Sequence, residues 1–226
     1  MLILGIEAAT KVASVAVISD EKILAEISQE ARLTHSETLL PQIEQVLKIA
    51  GVEKVDAVAV SIGPGSFTGL RIGLATAKSL AYAWQIKILG VPTLQAIAYH
   101  FPAAATILPM LDAQKNRAYV QTFKACQPIS KIEVKPIDEI ISAAGEISGE
   151  VFLCGEILSK IKTELPPNVR FAPINLRMPR AVNVALLGKN LLDAGEFSNV
   201  MNLEPLYVRR SEAEELWERR KLSSEK

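Results

Sequence analysis

The stretch from Ser61 to Gly73, SIGPGSFTGLRIG, constrains the fold of this chain more than any other. It follows the apolar run Val55–Val60 and leads into the alanine-rich apolar run Leu70–Trp84. The short run predicts a buried strand and the long run predicts a helix. Glycines between them allow positive φ and close approach of the backbone; these are Gly63, Gly65 and Gly69. The sequence therefore predicts a strand, a sharp turn and a helix start, which is the connection of an α/β fold.

The start of this predicted helix is a candidate anion site. Ser66 and Thr68 can cap the helix, and the remaining free N–H groups attract negative charge. No Gly-Lys-Ser/Thr follows at the required spacing, which excludes a Walker loop. Because many α/β turns have this composition without holding a ligand, the turn alone does not establish a nucleotide site.

The order of predicted elements is duplicated along the chain. Residues 2–100 give three strands joined by tight turns and then helix, strand, helix, strand and helix, that is βββαβαβα. The second half repeats this order with negligible sequence identity. Its predicted elements include a strand at Ala118–Phe123, a helix at Ile157–Leu165 and a helix at Ala181–Ala194. We place the boundary between the halves near Phe101–Thr106.

In each half a carboxylate ends the first strand and a polar turn follows. The first turn begins at Glu7 and the second at Asp112. Two βββαβαβα lobes with facing carboxylate turns are the plan of the actin-like ATPase (ribonuclease-H-like) fold, in which the two turns clamp phosphates and a hydrated metal. Ordinary hairpins with acidic turn residues are the alternative interpretation. We assign residues 1–101 to an N-terminal actin-like lobe with dimerisation helices, 102–205 to a degenerate C-terminal lobe and 206–226 to a strand and a charged helical tail.

The charge balance limits the function. Lys plus Arg and Asp plus Glu each total 25, and a neutral chain is unsuited to gripping nucleic acid by itself, because phosphate contacts need a basic surface. Glu7 interrupts the opening apolar residues, which argues against a signal peptide, and no run approaches the roughly 20 apolar residues that span a bilayer. Cys126 and Cys154 lack metal or disulfide spacing. We expect a cytoplasmic protein that contacts no membrane.

Five parts of the chain resemble motifs of one known family. They are Gly5–Glu7 with Ser14–Val17, His35–Glu37 with Leu39–Pro41, Gly63–Gly73, Leu111–Ala113 and Glu204–Arg209. The family is bacterial TsaB (YeaZ), and the resemblance covers nearly the whole chain, although it is weak between Lys124 and Leu203. It implies an accessory protein for making threonylcarbamoyladenosine beside the anticodon of certain tRNAs.

The resemblance also implies that this chain is not the catalyst. The family's catalytic paralogue, TsaD, carries a His-x-x-x-His pair that binds a metal on the helix after the glycine motif. This chain has two histidines, His35 and His100, which one helix cannot bring together. We therefore predict no metal site, no catalytic residue and no peptidase activity.

Departures from the family pattern weaken the predicted phosphate clamp. Ala8 and Ala9 replace hydroxyl residues in the first turn, and Gln114 stands where the family usually has arginine. We predict no cofactor, with at most weak binding of ATP or ADP, or binding only in the complex. The residues predicted to form the vestigial phosphate loops are Glu7, Thr10 and Asp112.

The helices predicted at His35–Ala50 and Leu70–Trp84 carry more apolar residues than one buried stripe needs. Either the helices are wholly buried in their own lobe, or another chain covers one side. In the family these helices pack against the matching pair of the paralogue, and homodimers form in the same way. The predicted interface residues are Leu39, Ile43, Val46, Leu70, Leu74, Ala77, Lys78 and Ala81. The predicted site residues of the glycine motif are Gly63, Gly65, Gly69 and Arg71.

We therefore predict a non-enzymatic subunit that supports the TsaD-like paralogue in threonylcarbamoylation. The implied partners are that paralogue, a TsaE-like small ATPase, a second copy when the chain is alone, and tRNA through the complex. A small ATP-dependent kinase or carbamoyl transferase of the same fold is the rival hypothesis, which Glu7 and Asp112 favour. A free-standing structural homodimer is a third.

Overall fold

The computed structural model describes residues 1–20, 22–30 and 34–209. The charged helical tail predicted after Arg209 lies outside the described residues. The strands are β1 Ile3–Glu7, β2 Val12–Ile18, β3 Ile23–Glu30, β4 Ala57–Gly63, β5 Lys87–Pro92, β6 Thr106–Asp112, β7 Arg117–Val120, β8 Phe123–Lys124, β9 Gln127–Pro128, β10 Glu133–Pro136, β11 Val151–Cys154 and β12 Val169–Phe171. The helices are α1 His35–Ala50, α2 Phe67–Trp84, α3 Thr93–Ala98, α4 Ile137–Gly145 and α5 Ala181–Asp193.

The first sheet has the strand order β3-β2-β1-β4-β5. The strands β1, β2 and β3 pair antiparallel, and β4 and β5 continue the sheet in parallel. Alternate side chains of β1 face opposite layers, because successive residues of a strand point to opposite faces. Leu4 and Ile6 pack in the core beneath α1 and α2, whereas Ile3 packs in the core beneath α5.

The second sheet repeats this order as β10-β7-β6-β11-β12, with the short hairpin β8–β9 attached to β6. Here too an antiparallel group, β6, β7 and β10, is extended by parallel strands, β11 and β12. The predicted α/β fold with two lobes of actin-like plan is therefore confirmed. The duplication is visible in the strand order of the two sheets, since the sequence identity between the two halves is negligible.

The helices of the second half depart from the predicted repeat. The helix predicted at Ile157–Leu165 is wrong: only a 3-10 helix forms, at Glu156–Lys160. Its apolar residues pack on the second core without a continuing helix, and Leu165 precedes a proline, which disfavours helical φ and ψ. The strand predicted at Ala118–Phe123 is interrupted, because β7 ends at Val120 and Phe123 pairs separately with Ile107 of β6.

Helix α5 requires a correction to the predicted second lobe. It belongs by sequence to residues 102–205, yet it packs on β1, β2 and β4 of the first sheet. Glycine makes this close packing feasible: a Cβ at Gly5 would collide with the backbone of Ala181, and one at Gly188 would collide with Ala59. The first sheet is thus covered by α1 and α2 on one face and by α5 on the other. The lobe boundaries themselves stay a prediction.

The described part of the chain contains no helix that is long and apolar enough to cross a membrane. Its longest helix, α2, begins where Ser66 caps it and ends at Gln85, which adopts a left-handed conformation. Helix α1 begins at His35, and the carboxylate of Glu37 accepts a hydrogen bond from the N–H of Thr34, as in a capping box. Pro41 lies inside α1.

Candidate functional site

The glycine turn joins β4 to α2 at the centre of the first lobe. Its first glycine, Gly63, has φ of +119° and donates its N–H to the hydroxyl of Thr93 at 3.1 Å. The Ser66 hydroxyl accepts a hydrogen bond from the N–H of Gly69 at 3.3 Å, and the Ser66 N–H donates to the carbonyl of Ala9 at 2.7 Å. The turn therefore caps its own helix and binds the first hairpin turn at the same time.

The spacing of the glycines seats α2 on that hairpin turn. Gly69 and Gly73 lie four residues apart and so share one face of α2, and Gly65 precedes the helix. A Cβ at Gly65 or Gly69 would collide with the carbonyl oxygens of Ala9 and Ala8, and one at Gly73 would lie 3.1 Å from the Ala8 side chain. These glycines serve close packing between two backbone segments.

This packing buries most of the first hairpin turn, although Lys11 stays exposed at the cleft. Ala8, Ala9 and Thr10 are all buried. The hydroxyl of Thr10 accepts a hydrogen bond from the N–H of Val12 at 3.2 Å within the turn itself. Within the described residues, the side chain that sequence analysis proposed as a phosphate ligand is thus engaged in holding the turn.

The second hairpin turn is open to the cleft between the lobes. Gln114, Lys115 and Asn116 all have positive φ, and the Asp112 carboxylate accepts the N–H of Gln114 at 2.9 Å. The other carboxylate oxygen of Asp112 pairs with Lys160 at 2.6 Å. Both oxygens of this predicted phosphate-loop residue therefore already have partners from the protein.

A cavity of about 500 Å³ lies between the two turns and the start of α2. Its polar lining includes Lys11, His35, Thr68, Asp112, Gln114 and Arg209. The structure thus brings Asp112 and the glycine motif to one cleft. Among the described residues no three His, Cys, Asp or Glu side chains are placed to hold a metal ion.

Glu7 lies beneath this cleft and is fully buried. Burial raises the pKa of its carboxyl to about 7, although the hydrogen bond from the Ala9 N–H opposes the rise. The charge of Glu156 adds to it. Glu7 is therefore a buried acid that stabilises the turn through Ala9, whose N–H it accepts at 2.6 Å.

The two histidines occupy separate places. His35, in the first turn of α1, is 2.7 Å from the carbonyl of Thr10 through Nε2, and so links α1 to the first hairpin turn. His100 follows α3, where burial and the nearby charge of Arg180 lower its pKa to about 4. The two rings therefore have different surroundings, one at the start of α1 and the other after α3.

Most of the residues predicted to form the partner interface do not lie on the surface of the protein. Seven of the eight are buried inside the first lobe: Leu39, Ile43, Val46, Leu70, Leu74, Ala77 and Ala81. The eighth, Lys78, is partly buried and donates to the carbonyls of Met201 and Leu203 at 3.0 and 3.2 Å. Apolar character around these helices reflects burial against the sheet, against each other and against the C-terminal segment.

The outward faces of α1 and α2 carry different residues. The large apolar side chains exposed there are Leu40, Ile49 and Tyr82, with 52%, 60% and 60% of their surface accessible. On α2 the exposed stripe also contains the small residues Ala75, Ser79 and Ala83. A helix of another chain could approach this stripe closely, since no long side chain stands between Arg71 and Tyr82 on it.

The C-terminal segment Leu203–Arg209 crosses the glycine motif. Tyr207 stacks on Phe67 with ring centroids 4.5 Å apart and planes 8° from parallel. Arg71 donates from Nε to the Tyr207 hydroxyl at 3.0 Å and lies over both rings. The Arg71 side chain of the predicted motif therefore binds this segment, which we call the strap.

The strap also connects the lobes. The Leu206 N–H donates to the carbonyl of Ile62 at 2.7 Å in the first lobe. Val208 packs on the core between the lobes, and Arg209 donates to the carbonyl of Ala113 at 2.7 Å in the second hairpin turn. Sequence analysis identified the strap as a motif but gave it no contact.

Glu156 was missed as a site residue. It lines the cavity between Lys11 and Asp112, although sequence analysis assigned it no role. Its position just after β11 could have identified it from the sequence. The parallel strands of the second sheet end at that edge, and ligands of open α/β sheets bind there.

Known proteins resemble this chain along its length. The family model for tRNA N6-adenosine threonylcarbamoyltransferase (TsaD) matches residues 22–149. The TsaB protein of Haemophilus influenzae is 32% identical over 125 residues, covering 53% of this chain and 52% of that protein. The TsaB protein of Bacillus subtilis is 27% identical over 231 residues, covering 96% of this chain and 98% of that protein. The chain thus spans about half the length of some TsaB proteins it matches and nearly all of another.

Solved structures support the fold. The structure of YeaZ from Pseudomonas aeruginosa has a TM-score of 0.73 at 23% identity and covers 92% of this chain and 99% of that one. The ethanolamine utilization protein EutJ from Carboxydothermus hydrogenoformans has a TM-score of 0.52 at 11% identity, covering 83% and 90%.

Proposed function

Because the chain belongs to the TsaD family, and within it to the TsaB (YeaZ) group, we propose that it is an accessory subunit for threonylcarbamoylation of adenosine beside the anticodon of tRNA. Relatives along its whole length are named as biosynthesis proteins for threonylcarbamoyladenosine. In this proposal a TsaD-like paralogue performs the chemistry, and this chain supports it.

The burial of the first hairpin turn is the main observation that supports a non-catalytic role. Ala8 and Ala9 are buried against the glycine motif, and the Thr10 hydroxyl bonds within its own turn. A phosphate clamp needs N–H or hydroxyl donors that face the ligand. In the described chain Ala8 and Ala9 of this turn face the glycine motif instead, which supports a subunit that does not act on phosphate by itself.

We propose that the outward faces of α1 and α2 bind the TsaD-like paralogue. Leu40, Ile49 and Tyr82 expose apolar surface there, and Ala75 and Ser79 allow a helix to approach. A stable interface buries about 800 Å² on each partner, which two helices of this length can present. A second copy of the chain would use the same faces when the paralogue is absent.

The remaining partners follow from the proposed role. A TsaE-like small ATPase joins the complex, and tRNA is bound through the complex, because this chain has a formal net charge of zero. We propose a cytoplasmic location for it, where tRNA is available. Nucleotide is held weakly or only in the complex.

A small ATP-dependent kinase or carbamoyl transferase remains the rival. The cavity of about 500 Å³ and its cations Lys11 and Arg209 favour it. Both lobes and both carboxylate turns are present, as such an enzyme requires. Against it stand the buried first turn and the engaged oxygens of Asp112.

Reconstitution tests the proposal directly. The TsaD-like paralogue, the small ATPase, tRNA and a threonylcarbamoyl donor are mixed with or without this chain, and modified adenosine is measured by mass spectrometry of digested tRNA. We expect modification to rise strongly when the chain is added, and none from the chain alone. Equal modification with and without the chain would refute the accessory role, and modification by the chain alone would favour the rival.

A further inference from the structure

Besides the glycines that receive the first hairpin turn, the glycine motif contains a second set of positions, which receives the strap. A Cβ at Gly63 would lie 3.0 Å from the carbonyl oxygen of Leu206, so the strap passes close to the backbone there. Phe67 stacks on Tyr207, and Arg71 donates to the Tyr207 hydroxyl at 3.0 Å. Because Phe67 and Arg71 are four residues apart, they lie on one face of α2. Gly63, Phe67 and Arg71 therefore form a seat for the strap on the first lobe.

The far end of the strap is attached to the second hairpin turn. Val208 packs on the core between the lobes, and Arg209 donates to the carbonyl of Ala113 at 2.7 Å. Within this turn the N–H of Ala113 donates to the carbonyl of Arg117, and the N–H of Arg117 donates to the carbonyl of Gln114, both at 3.0 Å. The strap thus binds the second turn directly through the backbone of that turn.

The chain also crosses between the lobes in two other places. It passes from α3 to β6 through residues 99–105 and from β12 to α5 through residues 172–180. Both of these crossings are continuous backbone and cannot separate. The strap crosses at the cleft, where Arg209 lines the cavity, and it is held there by side-chain contacts and hydrogen bonds. Its contacts can break while the other two crossings stay intact.

We propose that the strap is a latch for the cleft. Seated on Gly63, Phe67 and Arg71, it holds the second hairpin turn against the first lobe. When Tyr207 leaves Phe67, the lobes separate at the cleft by turning about the two backbone crossings, as in hinged domain motions.

The position of the contacts allows the latch to open reversibly. Tyr207 keeps 43% of its surface accessible, and Arg71 is exposed at the start of the outward stripe of α2. Separating the two rings therefore exposes part of the surface without disrupting the core of either lobe. Segments held by few buried contacts open at a lower free energy than the core does. The latch is accessible to another molecule on α2, but it does not depend on the proposed partner.

Pulsed electron paramagnetic resonance between two spin labels tests the latch. The labels are attached at Glu44→Cys on α1 and Glu139→Cys on α4, which are both exposed positions. Cys126→Ser removes the native thiol that is partly exposed, and Cys154 is buried and stays unlabelled. The distance between the labels then reports the separation of the two lobes.

We expect the otherwise wild-type protein to show mainly one distance, and the latch variants to populate a second. Tyr207→Ala should raise the open fraction about tenfold, because it loses the stack and the hydrogen bond. Arg71→Ala should raise it about fivefold, because both rings remain in place. Arg170→Ala, which removes an exposed arginine from β12, is the matched control and should keep the wild-type distribution.

Two results would overturn the proposal. One is the wild-type distance distribution in Tyr207→Ala and Arg71→Ala proteins that circular dichroism shows to be folded. The other is an equal second distance in Arg170→Ala, since opening would then not depend on the strap. If Tyr207→Ala does not fold, the wild-type distribution in Arg71→Ala alone is sufficient to reject the latch.

Discussion

At the scale of single residues, Gly69 shows how the absence of a side chain can determine a site. The carbonyl oxygen of Ala8 occupies the space that a Cβ at Gly69 would need, and the ring of His35 lies next to it. Neither backbone segment can move without disturbing the buried first turn. The glycine is therefore required for packing at a position where α2 meets another segment of backbone.

Gly69→Ala should destabilise the fold strongly. Overpacking in a well-packed region typically costs about 1–3 kcal/mol, and a clash with backbone places this variant at the upper end. Urea unfolding followed by circular dichroism measures the change. Ser79→Ala, at an exposed position of the same helix, is the control and should change stability by less than about 0.5 kcal/mol. An unchanged midpoint for Gly69→Ala would contradict the packing role.

Glu7 should make stability depend on pH. Burial raises the pKa of its carboxyl from the ordinary 4.5 to about 7 in the folded chain. Below pH 4.5 the group is protonated in both states, and between 4.5 and 7 the folded state holds the proton more tightly. The free energy of unfolding therefore falls as pH rises through this window, by roughly 3 kcal/mol in total for this group.

Glu7→Gln should remove this dependence, because an amide does not ionise. We expect the variant to gain stability relative to the wild type as pH rises from 5 to 8. Urea unfolding at several pH values in that range gives the difference. Glu139→Gln, an exposed carboxylate on α4, serves as control and should track the wild type. A Glu7→Gln curve parallel to that of the wild type would show that Glu7 is not the titrating group.

At the scale of elements, α2 is buried on several sides by its own chain. The sheet covers one side of α2 and α1 covers a second. The C-terminal segment contacts Lys78 and also Phe67 at the start of the helix. The apolar circumference of this helix therefore has an internal explanation, and only the stripe from Ala75 to Tyr82 remains for a partner. Variants on the two sides should behave differently.

Ser79→Arg should weaken association while leaving the monomer folded, because the arginine would stand in the middle of the exposed stripe. Leu74→Glu should unfold the monomer instead, since Leu74 is buried and an unpaired buried charge costs about 3 kcal/mol or more. Sedimentation with the TsaD-like paralogue measures association and circular dichroism measures folding. Unimpaired association of Ser79→Arg would move the interface elsewhere.

The strap should stabilise the molecule through its aromatic contact. Tyr207→Ala removes the stack on Phe67 and the hydrogen bond from Arg71, and we expect a loss of about 1–2 kcal/mol in the free energy of unfolding. Tyr207→Phe keeps the stack and should lose less than half as much. Chemical denaturation distinguishes the two. Equal losses would assign the effect to the hydroxyl alone.

At the scale of the whole molecule, the two lobes enclose a cleft of about 500 Å³ whose polar groups largely bind other groups of the protein. Arg209 donates to the carbonyl of Ala113 in the second turn, and the Asp112 carboxylate is bound by Lys160 and by the N–H of Gln114. We therefore predict weak binding of ATP by the isolated chain, with a dissociation constant near millimolar, or about −4 kcal/mol. Calorimetry with Mg-ATP tests this, and low-micromolar affinity would favour the enzyme hypothesis.

The sequence by itself determined the elements of the first lobe and their order. Alternating or continuous apolar runs predicted the strands of the first sheet, and the glycine motif predicted the turn between β4 and α2. The matching positions of Glu7 and Asp112 at two strand ends indicated the duplication, which the two sheet orders confirm. These features are local, because they depend on side-chain period, on backbone freedom at glycine and on residues close in the chain.

Only the tertiary structure decided which sides of these elements are free. The apolar residues of α2 could not reveal from sequence whether Leu74 faces the sheet or a partner, since both environments favour the same side chain. The packing of α5 on the first sheet and the stack of Tyr207 on Phe67 join residues far apart in the chain, and Lys11 and Glu156 line one cavity. Contacts of this kind depend on how the lobes fold back on each other, and no periodicity in one segment encodes them.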